Sequence, residues 1–97
     1  MKRSKPDGLN HSMNSSVTAK FRKLFEALPA DVQQLAVKNY LLWRDDPRHT
    51  SLQFKPVGEF WSVRIGLAYR ALGRMRGDRM HWFWIGHHSV YDRLIRG

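Results

Sequence analysis

Ninety-seven residues without a single cysteine make one small domain. A chain of this size buries about two-thirds of its unfolded surface, enough for one core, and a disulfide framework, a thiolate zinc site and a cysteine nucleophile are all excluded. Seventeen Lys and Arg against eight Asp and Glu leave a net charge of +9, an excess that points to a polyanion: nucleic acid, a membrane surface or an acidic protein.

Residues 1–16 are polar, carry Lys2, Arg3 and Lys5, and show no periodicity, so a disordered tail is expected there, followed by a single domain over 17–97. Met13 is a plausible initiator. The basic N-terminus lacks the apolar stretch of a signal peptide, and no apolar run approaches the ~20 residues that cross a bilayer, so a cytoplasmic protein with no membrane partner is expected.

Val17, Phe21, Leu24, Phe25 and Leu28 fall on one face of a helix, which Ser16 or Thr18 can cap. Pro29 interrupts and is suited to open the next helix. Val32, Leu35, Ala36, Tyr40 and Trp43 form its stripe, which ends before Asp45-Asp46-Pro47. The two helices make a hairpin with facing apolar sides.

The second half reads as β-structure. Leu52 and Phe54 alternate with polar neighbours as a short strand before Pro56, and Trp61, Val63 and Ile65 alternate as a second. Gly66 allows a bend, residues 69–75 continue as another strand, and Arg76-Gly77-Asp78-Arg79 is a hairpin turn. Residues 80–85 are almost continuously apolar, which predicts a central strand covered on both faces. Ser89 is expected to cap a last short helix, with Asp92 near capping-box spacing. The fold class is α+β: an N-terminal helical hairpin packed on one face of a small antiparallel sheet, with a short C-terminal helix. The opposite sheet face then collects Arg64 and Arg70, with His87, His88 and Tyr91 arriving at the end of the last strand.

From residue 60 onward every basic side chain is Arg: 64, 70, 74, 76, 79, 93 and 96, against Asp78 and Asp92 alone. The planar guanidinium matches phosphate bidentately, which favours phosphate recognition over a merely soluble surface. Three stretches, FRKLFEALPADVQQLAVKNYLLWRDDP, WSVRIGLAYRALG and WFWIGHHSVYDRL, then resemble in order and spacing the RelE/ParE toxin superfamily over residues 17–95. The middle one is similar to that family's Arg-hydrophobic-Gly turn and Tyr-Arg strand, the last to its Gly-x-His-x-x-Tyr-Asp run.

The resemblance implies a toxin of a type II toxin–antitoxin pair, held inactive by a cognate antitoxin with an acidic segment. RelE-like members are endoribonucleases that cut mRNA on the ribosome by 2′-hydroxyl attack on the adjacent phosphate. ParE-like members share the fold and instead poison DNA gyrase, and a non-catalytic nucleic-acid-binding domain is a third possibility. For the nuclease, the resemblance makes Arg70 the phosphate-stabilising arginine, with Arg64 sharing the role; either is otherwise an exposed strand arginine in a surface ion pair. His88 falls on the motif histidine, and imidazole exchanges protons near neutral pH; the alternative is a capping or partly buried histidine. Tyr91 either bonds the phosphate, stacks on a base or packs. Lys55, His87 and Arg74 are expected RNA contacts, while His49 and His81 read as structural or exposed. Adjacent histidines at a strand end diverge, and no further ligand cluster accompanies His87 and His88, so neither metal nor cofactor is expected.

Overall fold

The computed structural model describes residues 14–96. Its first element is a strand, β1 (Asn14–Val17), followed by α1 (Ala19–Glu26), α2 (Ala30–Asp45), a 3-10 turn at Thr50–Leu52, β2 (Lys55–Val57), β3 (Phe60–Ile65), β4 (Tyr69–Arg76), β5 (Arg79–His87) and α3 (His88–Arg96). One five-stranded sheet runs in the order β1-β5-β4-β3-β2. β1 lies parallel to β5 and the other pairs are antiparallel, so the sheet is mixed rather than purely antiparallel.

β1 corrects the expected tail boundary, because residues 14–16 belong to the sheet; residues 1–13 lie outside the described part. Asn-Ser-Ser-Val has no apolar alternation, and what holds it is backbone pairing in register from Asn14 with Arg79 to Val17 with Trp82. Side chains add to that ladder: Ser16 Oγ lies 2.9 Å from His81 Nδ1, and Ser15 Oγ 2.7 Å from the Tyr40 hydroxyl. The chain then turns on Thr18, whose N–H reaches Trp82 O at 3.0 Å and whose Oγ1 accepts the Phe21 N–H at 3.0 Å, capping α1.

The helical hairpin forms on the expected stripes, except that Val17, read as the first residue of the α1 stripe, belongs to β1 and packs on the core from there. Phe21, Leu24 and Phe25 of α1, Leu28 of the turn after it, and Leu35 and Leu42 of α2 pack on a core of Ala36, Trp43, Leu52, Val63, Ile65, Ala71, Met80, Trp82 and Ile85. Gln33 latches the hairpin, its Nε2 donating to Leu28 O at 2.9 Å and Glu26 O at 3.2 Å. Trp43 is the pivot of the core, 1% exposed, with its ring 5.1 Å from Trp82 and 5.7 Å from Phe54. Tyr40 stays 38% exposed despite its place on the stripe.

The strand expected around Leu52 and Phe54 is instead a 3-10 turn. His49 Nδ1 accepts the Ser51 N–H at 3.3 Å, and Gln53 takes a left-handed conformation at φ 44°. The turn buries Leu52 completely and stacks Phe54 on Trp61 at 4.6 Å. A buried residue and a half-buried one at spacing two therefore arise without a strand. The strand itself begins at Lys55 and includes Pro56, tolerated because β2 is a sheet edge.

The Arg76–Arg79 turn forms as read, with Arg76 paired to Arg79 and Gly77 at φ 60°. β5 is interior to the sheet, with Met80, Trp82, Trp84 and Ile85 all buried. Its register contains an irregularity: Gly73 faces Trp82 and Leu72 faces Trp84, leaving Phe83 as an extra residue. This bulge reverses the alternation. Trp82 joins the helix-covered core, whereas Phe83 and Trp84 both join a second cluster with Leu72, Tyr91, Phe60 and Val90 beneath α3. Gly73 permits the crossing, since a Cβ there would lie 2.6 Å from Met80 Sδ and 2.8 Å from Trp82 Cε3.

Candidate functional site

The antiparallel pairing of β3 and β4 sets Arg64 directly opposite Arg70, on the face away from the helical hairpin. Like charges in opposed cross-strand positions repel, so something must hold them. Backbone carbonyls of the intervening turn do so: Arg64 Nε donates to Gly66 O at 3.0 Å, and Arg70 Nη1 donates to Tyr69 O at 2.8 Å and Leu67 O at 3.3 Å. Gly66 makes that turn possible, with φ 62° and with Leu35 Cδ2 only 2.8 Å from where a Cβ would stand. Asn39 Nδ2 ties the strand to α2 through Arg64 O at 3.1 Å. Among the described residues the ion pairs are Arg44–Asp45 and His88–Asp92, so neither Arg64 nor Arg70 is neutralised by a carboxylate.

At the far end of β5 the chain passes from His87 into α3. The His88 N–H donates to Ala68 O at 2.8 Å, fixing the start of α3 against the β3–β4 turn. The cap is His87 rather than Ser89: His87 Nδ1 accepts the Ser89 N–H at 3.2 Å and lies 3.0 Å from Ser89 Oγ. An imidazole nitrogen reaches the second helical N–H as a carboxylate would, leaving Ser89 two positions too late to act.

α3 thus overhangs the two arginines and closes a polar cleft of about 240 Å³ lined by Arg64, Arg70, Lys55, His88 and Tyr91, together with Gln53, Ser62 and Asp92. Five residues singled out from the sequence meet in this one cleft. His87 and Arg74 do not line it. The His87 ring stands edge-on to Tyr69 at 5.5 Å and beside His88 at 4.4 Å. Arg74 lies further along the same sheet face, its guanidinium over Phe60 and Phe83. Tyr91 is 6% exposed and packs with Leu72 and Trp84, so its ring is part of the core as well as the cleft wall.

Three cleft residues were missed by sequence reasoning. Asp92 has Oδ2 3.8 Å from His88 Nδ1, beyond hydrogen-bond reach; its i,i+4 spacing from His88 was the available signal. Ser62 is 2% exposed and lies two residues before Arg64, on the same strand face. Gln53 arrives through its left-handed turn, which nothing in the sequence announced.

The three cationic side chains Lys55, Arg64 and Arg70 share the cleft with a single carboxylate, Asp92, so its charge suits an anion. His88 adds an imidazole, a side chain type capable of acid–base chemistry. Among the described residues no cluster of three His, Cys, Asp or Glu side chains could hold a metal ion, and no helix is long and apolar enough to cross a membrane. A second cavity, between the helical hairpin and the sheet, is walled by Phe21, Phe25, Val37, Trp43 and Trp82 and offers no comparable chemistry.

A mixed sheet with a helical hairpin on one face and a cationic cleft under a C-terminal helix on the other is an arrangement shared with several solved structures of toxins and toxin–antitoxin complexes. A chain of the RelBE2 toxin–antitoxin complex of Mycobacterium tuberculosis superposes with a TM-score of 0.65 at 19% identity, over 78% of this chain and 98% of that one. The YoeB/ParE toxin from Agrobacterium tumefaciens superposes at 0.62 with 18% identity, over 78% and 99%. A chain of the E. coli DinJ–YafQ toxin–antitoxin complex reaches 0.65 at 6% identity, over 81% and 96%. No protein-family model matches the sequence, and no curated protein matches it; the likeness is one of fold.

Proposed function

We propose that this chain is the toxin of a type II toxin–antitoxin pair and that it cuts mRNA on the ribosome. The observation that carries the reading is the opposed pair Arg64 and Arg70, which among the described residues have no carboxylate salt-bridge partner, in a cleft that also holds Lys55, His88, Tyr91 and Asp92. Several structures of the same fold were solved as toxin–antitoxin complexes, which supports a cognate antitoxin as the partner.

In the proposed reaction the 2′-hydroxyl oxygen bonds to the adjacent phosphorus, the bond from phosphorus to the 5′ oxygen breaks, and the products are a 2′,3′-cyclic phosphate and a free 5′-hydroxyl. The attacking hydroxyl loses its proton and the leaving oxygen gains one. Arg64 and Arg70 flank the phosphate and stabilise the additional negative charge of the phosphorane, the term worth most in such sites. His88 exchanges a proton with one of the two oxygens. Lys55 holds the strand at the cleft mouth, and Tyr91 walls the cleft and limits the approach of water. None of these steps calls for a metal.

An in vitro translation reaction with mapped message ends tests this. Breaks within codons, dependent on ribosomes and insensitive to chelator, are the expected result. Intact messages together with gyrase-trapped DNA breaks would instead identify the ParE-like activity, for which a proton-exchanging histidine beside two unpaired arginines has no use.

A further inference from the structure

Beyond the cleft, the same sheet face carries a second arrangement. On β4, Arg70, Leu72 and Arg74 share this face, and on β3 Phe60, Ser62 and Arg64 do the same, by strand alternation. The cleft occupies the end with Arg64 and Arg70. At the other end Phe60 and Phe83 meet edge to face at 5.0 Å and 63°, and the Arg74 guanidinium lies 5.2 Å from the Phe60 centroid and 5.8 Å from that of Phe83. The bulge in β5 brings Phe83 here; regular alternation would have sent either Phe83 or Trp84 to the opposite face. Both phenyl rings are half-buried and Arg74 is exposed. Among the described residues Arg74 has no carboxylate partner.

We infer that Phe60, Phe83 and Arg74 form a stacking platform for an unpaired RNA base, a subsite for a nucleotide flanking the one cleaved in the cleft. The inference rests on the nuclease reading and extends it. A planar guanidinium lying on aromatic rings offers its outer face to a further π-system, and single-stranded RNA is gripped by aromatic and arginine planes of this kind together with cations along the backbone. Arg70 and Arg74 are four residues apart on one strand, about 13 Å at the rise of a β-strand, so a strand whose phosphate sits between Arg64 and Arg70 reaches the platform within a few nucleotides. Between the two ends, Lys55 pairs with Ser62 at the sheet edge and supplies a cation for the connecting backbone. Stacking of this sort is tolerant of sequence and stronger for the larger purine face, so purines are the bases the subsite takes.

The test compares binding of the full chain to a short oligoadenylate and to an abasic ribose-phosphate strand of equal length and charge, by fluorescence anisotropy at low salt. Arg74→Lys keeps the charge and removes the plane. Phe60→Leu with Phe83→Leu keeps apolar bulk and removes the rings. Wild type is expected to bind the base-bearing strand about 5- to 100-fold more tightly than the abasic one. Both variants should lose most of that advantage while binding the abasic strand as wild type does. Arg70→Ala should weaken both probes alike. If the paired leucine variant fails to fold, Arg74→Lys decides, since Arg74 is exposed. An undiminished base advantage in Arg74→Lys overturns the platform, and ribosome-dependent cleavage by wild type in the same preparation would then leave the nuclease reading standing. A base advantage that tracks Arg74 in a protein that cleaves no message supports the platform and removes the nuclease reading. Failure of wild type to bind either probe overturns the platform outright.

Discussion

Placing two arginines opposite each other costs stability, and the cost is measurable as a coupling between them. Arg64 and Arg70 are register partners in β3 and β4, both half-buried at the cleft. Two like unit charges on the order of 6 Å apart repel by roughly 0.7 kcal/mol in bulk water and about 3 kcal/mol at an effective dielectric near 20. The open cleft and salt screening place this pair near the lower figure, about 0.5–1 kcal/mol. Single Arg→Gln changes also forfeit the bonds to Gly66 O, Leu67 O and Tyr69 O, which obscures the repulsion in either variant alone. A double-mutant cycle of Arg64→Gln and Arg70→Gln cancels those losses. Because the repulsion can be relieved only once, the double variant should be less stable than the sum of the singles by about 0.5–1 kcal/mol, measured by urea unfolding at low salt. At about 1 M salt, where the Debye length falls to about 3 Å, the discrepancy should largely vanish. Strict additivity at low salt, or a coupling of opposite sign, would refute an unneutralised charge pair and with it the basis of the anion site.

Other consequences are equally direct. Gly73→Ala forces a Cβ against Met80 Sδ and the Trp82 ring, both buried, and should destabilise by about 1–3 kcal/mol, seen as a lower midpoint in thermal unfolding. Thr18→Ala removes the α1 cap at a cost of about 1 kcal/mol, readable in the same assay. Deleting residues 1–17 removes β1 and bares the edge of β5, so that truncation should unfold at lower temperature than the full chain and aggregate more readily; an unchanged midpoint would show the parallel pairing to be dispensable. Co-expression with the adjacent reading frame should rescue growth and yield a complex that weakens as salt rises, since an acidic partner is attracted by the net charge of +9; persistence of toxicity with no complex would count against an antitoxin partner.

What the sequence disclosed follows from how each feature is encoded. The helical hairpin was legible because its stripes are apolar at helical spacing around Pro29, and the β3–β4 pair because alternation runs into Gly66 and out of Tyr69. Those two strands carry Arg64 and Arg70 into register, so the centre of the cleft was legible too. β1 was not, because Asn14–Val17 is held by backbone pairing that leaves no mark on side-chain pattern. Leu52 and Phe54 imitated a strand because a 3-10 turn with left-handed Gln53 buries the first and packs the second on the core. The bulge at Phe83 has no signature in β5 itself, only Gly73 on the facing strand, and it sends Phe83 and Trp84 to one face. The partnership of Asp92 with His88, and the capping of α3 by His87, depend on where the helix begins, which lies within the usual uncertainty of a boundary.

The central claim is that Arg70 and His88 act on RNA chemically rather than as surface charge, and single-turnover cleavage on programmed ribosomes tests it most directly, with antitoxin binding as the control for folding. Arg70→Ala should slow the chemical step by ~10²-fold or more while ribosome binding weakens less, because Lys55, Arg64 and Arg74 remain. His88→Gln keeps a hydrogen-bonding side chain and loses proton exchange, so cleavage should fall by roughly 10²–10⁴-fold and one arm of the pH–rate profile should flatten. Full cleavage by either variant, folded and still bound by antitoxin, would contradict the site described here.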